Sequence, residues 1–186
     1  MTALFPIGHG AGPDASTESM PYVVRVGRTA EQLSAPEFGV WLLAHRLTHV
    51  TELAAACADA DIDDPERHVD TLLSRGLLAA ADDVAAFAQR YRLLPLFVGL
   101  GNRPDDPERF AIGVPGLEPL ATLGPIAYEL WQWGWVAPSL WAHCEVLATI
   151  GETADAPGTA SAQLGAVLDG VSVLLADFVA VLAPVS

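Results

Sequence analysis

Apolar positions recur with a helical period over most of this chain and alternate only in short runs. Tyr22-Val-Val-Arg-Val26 is β-branched and closed by Gly27, which predicts a strand. From Ser34 the period changes: Phe38, Trp41, Leu42 and His45 fall three and four residues apart, one stripe of a helix. Ser34 and Glu37 are the two ends of a capping box, in which the serine side chain accepts a helix-end N–H and the glutamate reaches back. Thr48 is placed to cap a second helix with Val50, Leu53 and Cys57 facing inward. Asp64-Pro65 opens a third, with Asp at the N-cap and Pro where its missing N–H does no harm. Val69, Leu72 and Leu73 form its inner face, and Gly76 stands just past its end. A fourth helix is predicted over 82–92, carrying Val84, Phe87 and Tyr91, and Leu93-Leu94-Pro95 ends it. Two strands follow, 96–100 and 110–114. The turn-rich Gly101–Arg109 joins them as a hairpin with a polar tip.

From Leu120 the apolar spacing of the first half recurs. A shift of 87 residues sets Leu33 on Leu120, Trp41 on Tyr128, Leu53 on Leu140 and Cys57 on Cys144. Further on the shift becomes 94, setting Gly76 on Gly170. The extra residues fall in the Pro/Gly/Ala/Thr-rich stretch 152–161, so the reading is an internal duplication with a grown loop. Residues 1–20 are rich in Gly, Pro, Ser and Thr without a period and read as a flexible tail, with Met20 a second candidate start. The expected organisation is therefore a tail over 1–20, a first lobe over 21–95, a connecting hairpin over 96–117 and a second lobe over 118–186. Residues 164–183 have the length of a membrane span. Asp169 and Asp177 lie within them without a basic flank, which favours a buried C-terminal helix or helix pair.

The order of strand, capped helix, short turn, helix and Asp-Pro-led helix ending in Gly-Leu-Leu resembles the winged helix-turn-helix superfamily. The matching residues are Leu33-Ser-Ala-Pro-Glu-Phe38, Trp41-Leu-Leu43, Val50–Ala56 and Val69–Leu78. The resemblance implies a mainly α fold with short β-strands: two winged-helix-like lobes in tandem, the second degenerate. In DNA-binding members the third helix enters the major groove and the wing touches the backbone. On this chain that helix is Asp64–Arg75, the wing is the 101–109 hairpin, and the nucleic-acid-binding candidates are Arg67, His68 and Arg75.

Charge argues against that use. The chain has no lysine, its nine basic residues are arginines, and its net charge is −14. After Arg109 there is no Lys or Arg, while Glu118, Glu129, Glu145, Glu152, Asp155, Asp169 and Asp177 remain. Acids outnumber arginines on Asp64–Arg75, and Ala160–Asp169, its counterpart in the second copy, is small and apolar. Nucleic acid and anionic membranes both repel such a surface. No secretory pattern occupies 1–20, so a cytoplasmic protein is expected, and Arg without Lys in Ala-rich helices suggests a GC-rich bacterial genome.

Candidate chemistry is sparse. His45 and His49 are four apart, but a cap between them breaks the shared face, and no Cys-x-x-Cys or His-Glu-x-x-His spacing exists, so no metal is expected. Cys57 and Cys144 read as small core residues. Gly99-Leu-Gly101 lacks the third glycine and the helix of a phosphate cradle. The acid pairs Asp63-Asp64 and Asp105-Asp106 read as solvated turn residues, and no catalytic set or cofactor is predicted. Most unusual is the aromatic cluster Tyr128, Trp131, Trp133, Trp135 and Trp141. Tyr128, Trp131 and Trp135 share one helical stripe and Trp133 points elsewhere, which suits core packing or a partner-binding surface, since Trp and Tyr anchor interfaces. The functional expectation is a non-catalytic interaction or adaptor module that holds a protein partner or a second copy of itself. A DNA-binding regulator is the alternative, and an enzyme or ligand binder with an inter-lobe pocket the third.

Overall fold

Strands turn out to be far more numerous than the apolar pattern predicts. The computed structural model describes residues 3–16, 20–103, 105–152 and 159–185. Two compact units divide the chain: residues 1–83 with 182–184, and residues 84–181 with 185–186. Among the described residues, ten strands in four small sheets accompany seven helices. The expectation of a mainly α fold is corrected to a mixed α/β one. Two of the four sheets pair strands far apart in sequence, which local periodicity does not register.

The first unit begins with β1 (Leu4–Pro6) and β2 (His9–Pro13), where a flexible tail was expected. Then come β3 (Tyr22–Val26), β4 (Thr29–Leu33), α1 (Ala35–Leu43), α2 (Val50–Asp59), α3 (Pro65–Ser74) and β5 (Leu78–Ala80). Strands β2, β3 and β4 form an antiparallel meander, and β1 pairs antiparallel with β5. The N-terminal segment is ordered because its backbone groups find distant partners. Leu4 N–H donates to the Thr48 carbonyl (2.7 Å), Ile7 N–H to that of Leu77 (2.9 Å) and Gly8 N–H to that of Leu182 (2.8 Å). Leu4, Phe5 and Ile7 are buried. The capping box forms: the Ser34 side chain accepts from Glu37 N–H, and Ser34 N–H donates to Glu37 Oε2 at 2.7 Å. Helix α2 starts one residue later than expected. His49 stands at its N-cap without a side-chain bond, and Thr48 serves β1 through its carbonyl. Pro65 opens α3 as expected, while Asp64 is left-handed (φ 49°) and makes no side-chain cap bond.

Helix α4 (Val84–Arg90) opens the second unit, followed by β6 (Tyr91–Pro95), β7 (Val98–Arg103), β8 (Asp106–Gly113) and β9 (Ala121–Leu123). Three helices come next, α5 (Pro125–Trp133), α6 (Leu140–Glu152) and α7 (Ala160–Ala176), and β10 (Ala180–Pro184) closes the chain. The hairpin expected to connect two lobes is β7–β8, part of the meander β7-β8-β9 inside this unit. The C-terminal apolar run is one helix and then a strand, which pairs with β6. Phe178, left-handed at φ 55°, turns the chain at the junction. Asp169 and Asp177 are exposed, and no helix among the described residues is long and apolar enough to cross a membrane.

Apart from α4, the second half of the chain follows the element order of the first: strand, three-stranded meander, three helices, strand. The aromatic packing repeats as well. In the first, Tyr22 stacks on Phe38 (4.4 Å between centroids) and Phe38 on Trp41 (5.7 Å). In the second, Phe110 stacks on Tyr128 (4.4 Å) and Tyr128 on Trp131 (5.5 Å). Trp41 Nε1–H donates to the Ile7 carbonyl at 3.3 Å. Trp131 Nε1–H donates to those of Leu96 (3.2 Å) and Val179 (2.9 Å). Leu33 pairs with Tyr22, and Leu123 with Phe110. The environment of Trp41 is therefore repeated at Trp131 and that of Leu33 at Leu123, a register three residues beyond the 87-residue shift. Within α2 and α6 the buried pairs Leu53/Cys57 and Leu140/Cys144 keep the 87-residue spacing. The stretch read as an inserted loop lies largely at 153–158, outside the described residues.

A glycine pair makes the aromatic packing possible. A Cβ at Gly99 would stand 2.7 Å from the Tyr128 hydroxyl, and one at Gly10 would stand 3.1 Å from Trp41. Each is followed two residues later by a glycine at positive φ, Gly12 (81°) and Gly101 (85°), where the strand register shifts.

Candidate functional site

The aromatic cluster divides between core and surface. Trp131 is 7% exposed, and its indole N–H is satisfied by two carbonyls. Tyr128 belongs to the same stack. Trp133 is 58% exposed, because two residues along a helix turn a side chain to another face. Trp135 is exposed in the turn after α5, its Nε1–H donating to the Gln132 carbonyl at 2.9 Å. Half-buried Trp141 donates to Glu145 Oε1 at 2.8 Å. Of these five, Trp133 lines a large apolar cavity.

That cavity is a groove of about 1000 Å³ lined by residues of the second unit alone. Helices α5 and α6 each pack on α7 and scarcely on each other, so the space separating them stays open. Ile126, Leu130 and Trp133 form one wall, and Val146, Leu147 and Ile150 the other. Ala166 and Val167 of α7 lie in the floor, and Val136–Pro138 close one end. Ile126 is 76% exposed, Val136 63% and Ile150 61%. Large contiguous apolar surface of this kind marks interaction sites.

Helix α6 explains the exposure. Leu140, Cys144 and Ala148 point inward one turn apart, as amphipathic spacing requires. Val146 and Ile150 carry apolar side chains on another face of the same helix, where a surface helix would be polar. That second stripe is legible in the sequence and is the signal that finds the groove; of the five aromatic candidates, only Trp133 belongs to its lining.

Among the described residues of the first unit the corresponding helical face is covered. There α1, α2 and α3 pack pairwise, and Ile62, from the turn after α2, is seated on Gly39 of α1. Leu43, Leu47, Ile62 and Leu73 pack against the core. By the Trp41–Trp131 correspondence, Glu129 stands where Gly39 stands and Trp133 where Leu43 stands.

The groove holds little that could do chemistry. Its ionisable lining groups are Glu129 and His143. Burial pushes the His143 pKa down, which keeps the ring neutral near pH 7. The neighbouring Cys144 thiol is buried and pushed up to about 11 by loss of solvent, and burial raises Cys57 as well, so neither is an activated thiolate. His45 is buried in the first unit, its Nδ1–H donating to the Trp41 carbonyl at 3.0 Å, and desolvation lowers its pKa to about 4. No group of metal-ligating side chains occurs among the described residues.

The residues of the DNA-binding alternative are not assembled either. Arg75 is taken up by Glu31 (2.9 Å), Glu37 (3.5 Å) and the Gln32 carbonyl (2.8 Å). Arg67 is exposed and His68 half-buried, among the exposed acids Asp63, Asp64, Glu66 and Asp70. The hairpin expected as the wing belongs to the other unit. Comparison with known protein families, curated proteins and solved structures found no match to this chain.

Proposed function

We propose that this protein is a non-catalytic interaction module whose second unit takes up an apolar segment of a partner protein in the groove of α5 and α6. The observation that carries the reading is the groove itself: exposed, apolar and without a catalytic or metal-ligating set. The first unit supports it by contrast, since Ile62 covers the corresponding face from within the chain. The repeated element order and aromatic stacks favour an internal duplication in which one copy kept a closed helical face and the other opened it. Nothing in the placement of Arg67, His68 and Arg75 favours the DNA-binding alternative.

A photo-reactive amino acid placed at position 150 in the native host tests the proposal, with position 66, exposed on α3, as control. One partner protein should be captured from position 150 and not from 66, and Val146→Gln should abolish the adduct. Equal capture from both positions, or none from 150, sinks the reading.

A further inference from the structure

We infer that the occupant of this groove is a basic amphipathic α-helix of another protein, apolar on the face that enters and cationic on the face left in water. The inference rests on the groove being the docking face proposed above.

Shape selects a helix. The walls and the floor are helices, whose backbone N–H and C=O groups are already paired internally. The groove therefore offers no ladder edge for an extended peptide, which needs main-chain bonds for affinity. A helix about 10 Å across with its side chains can lie along two others and make only side-chain contacts. Trp133, Val146 and Ile150 supply apolar surface on both walls for residues three and four apart on the incoming helix.

Charge selects a basic one. The second unit carries ten acids against four arginines, and every arginine precedes residue 110. No cation lines the groove, and Glu129 lines it, exposed. A fatty acid would bring its carboxylate to a site without a positive charge. A second copy of this chain, itself at −14, would bring like charge against like. Only a cationic polar face gains from this surface.

Three labelled helical peptides of about five turns test the inference by fluorescence anisotropy with the full chain: leucine on one face with arginine on the other, the same leucine face with glutamate, and the arginine peptide with its order scrambled. The ordered basic helix should bind, and its affinity should fall about tenfold from roughly 0.02 M to roughly 0.3 M NaCl. Val146→Gln and Ile150→Gln, both at exposed positions with the fold checked by circular dichroism, should each weaken it about tenfold. Glu129→Gln should weaken it at low salt and little at high salt. Binding of the glutamate or scrambled peptide as tight as that of the ordered basic one overturns the inference, as does a groove variant that binds unchanged. If the basic helix fails while adducts from position 150 persist, the docking face stands and only its cationic helical occupant falls. If the adducts are missing too, both fall.

Discussion

Trp131 and Trp133 stand two residues apart in α5 and have opposite fates. Trp131 fills the core and ties two strand-end carbonyls to the helix, whereas Trp133 faces open groove. Trp131→Phe removes the indole donor and part of a buried ring, and should cost about 2–4 kcal/mol. Trp133→Ala removes a side chain already mostly in water and should cost less than about 1 kcal/mol. Urea midpoints of the two variants decide it, and a Trp133→Ala loss as large as that of Trp131→Phe would remove Trp133 from the surface. The clustering of tryptophans was legible in the sequence. Which of them is buried was not, because that depends on Leu96 and Val179, carbonyls 35 and 48 residues away.

The helices of the first unit were legible because their stripes and caps are local: Ser34 with Glu37, Pro65, and Leu53 with Cys57. Strand β3 and the β7–β8 hairpin were legible too, but β1 and β6 were not. Leu4-Phe-Pro-Ile7 and Leu93-Leu-Pro-Leu96 show no alternation, and Pro and Gly within and after them read as loop. Their order comes from partners such as Leu77 and Val179 that only the folded chain supplies. The 87-residue spacing coincides with buried pairs in α2 and α6, whereas the stack at Trp41 is matched at Trp131, three residues further on, since apolar spacing alone cannot distinguish Tyr128 from Trp131. The groove depends on helix α7 as its floor, and two of its glycines test how tightly that floor is held. A Cβ at exposed Gly165 meets nothing within 4 Å, so Gly165→Ala should stabilise by about 0.5–1 kcal/mol through helix propensity. A Cβ at Gly170 would stand 2.7 Å from Leu130, a buried groove residue, so the same gain is offset by displacement of α5. Thermal unfolding should rank Gly165→Ala above the parent and Gly170→Ala at or below it. Equal stabilisation by both would mean that α5 is not held closely on α7.

For the molecule as a whole, a net charge of −14 with a pI near 4.4 sets two salt responses of opposite sign. Self-repulsion among unbalanced acids opposes compaction, and added salt screens it, with a Debye length falling from about 30 Å at 0.01 M to about 8 Å at 0.15 M. Folding stability should therefore rise over that range. Docking of a cationic helix depends on the same acids as attraction, so it should weaken over that range. Loss of an ordinary surface ion pair, such as Arg75 with Glu31, pulls stability the other way but amounts to less than about 1 kcal/mol. Measured side by side, the melting temperature should climb with NaCl while affinity for the arginine helix declines. A melting temperature that falls as steeply as the affinity would mean that specific ion pairs, not the excess of acid, govern this surface, and the charge argument for a cationic partner would lose its basis.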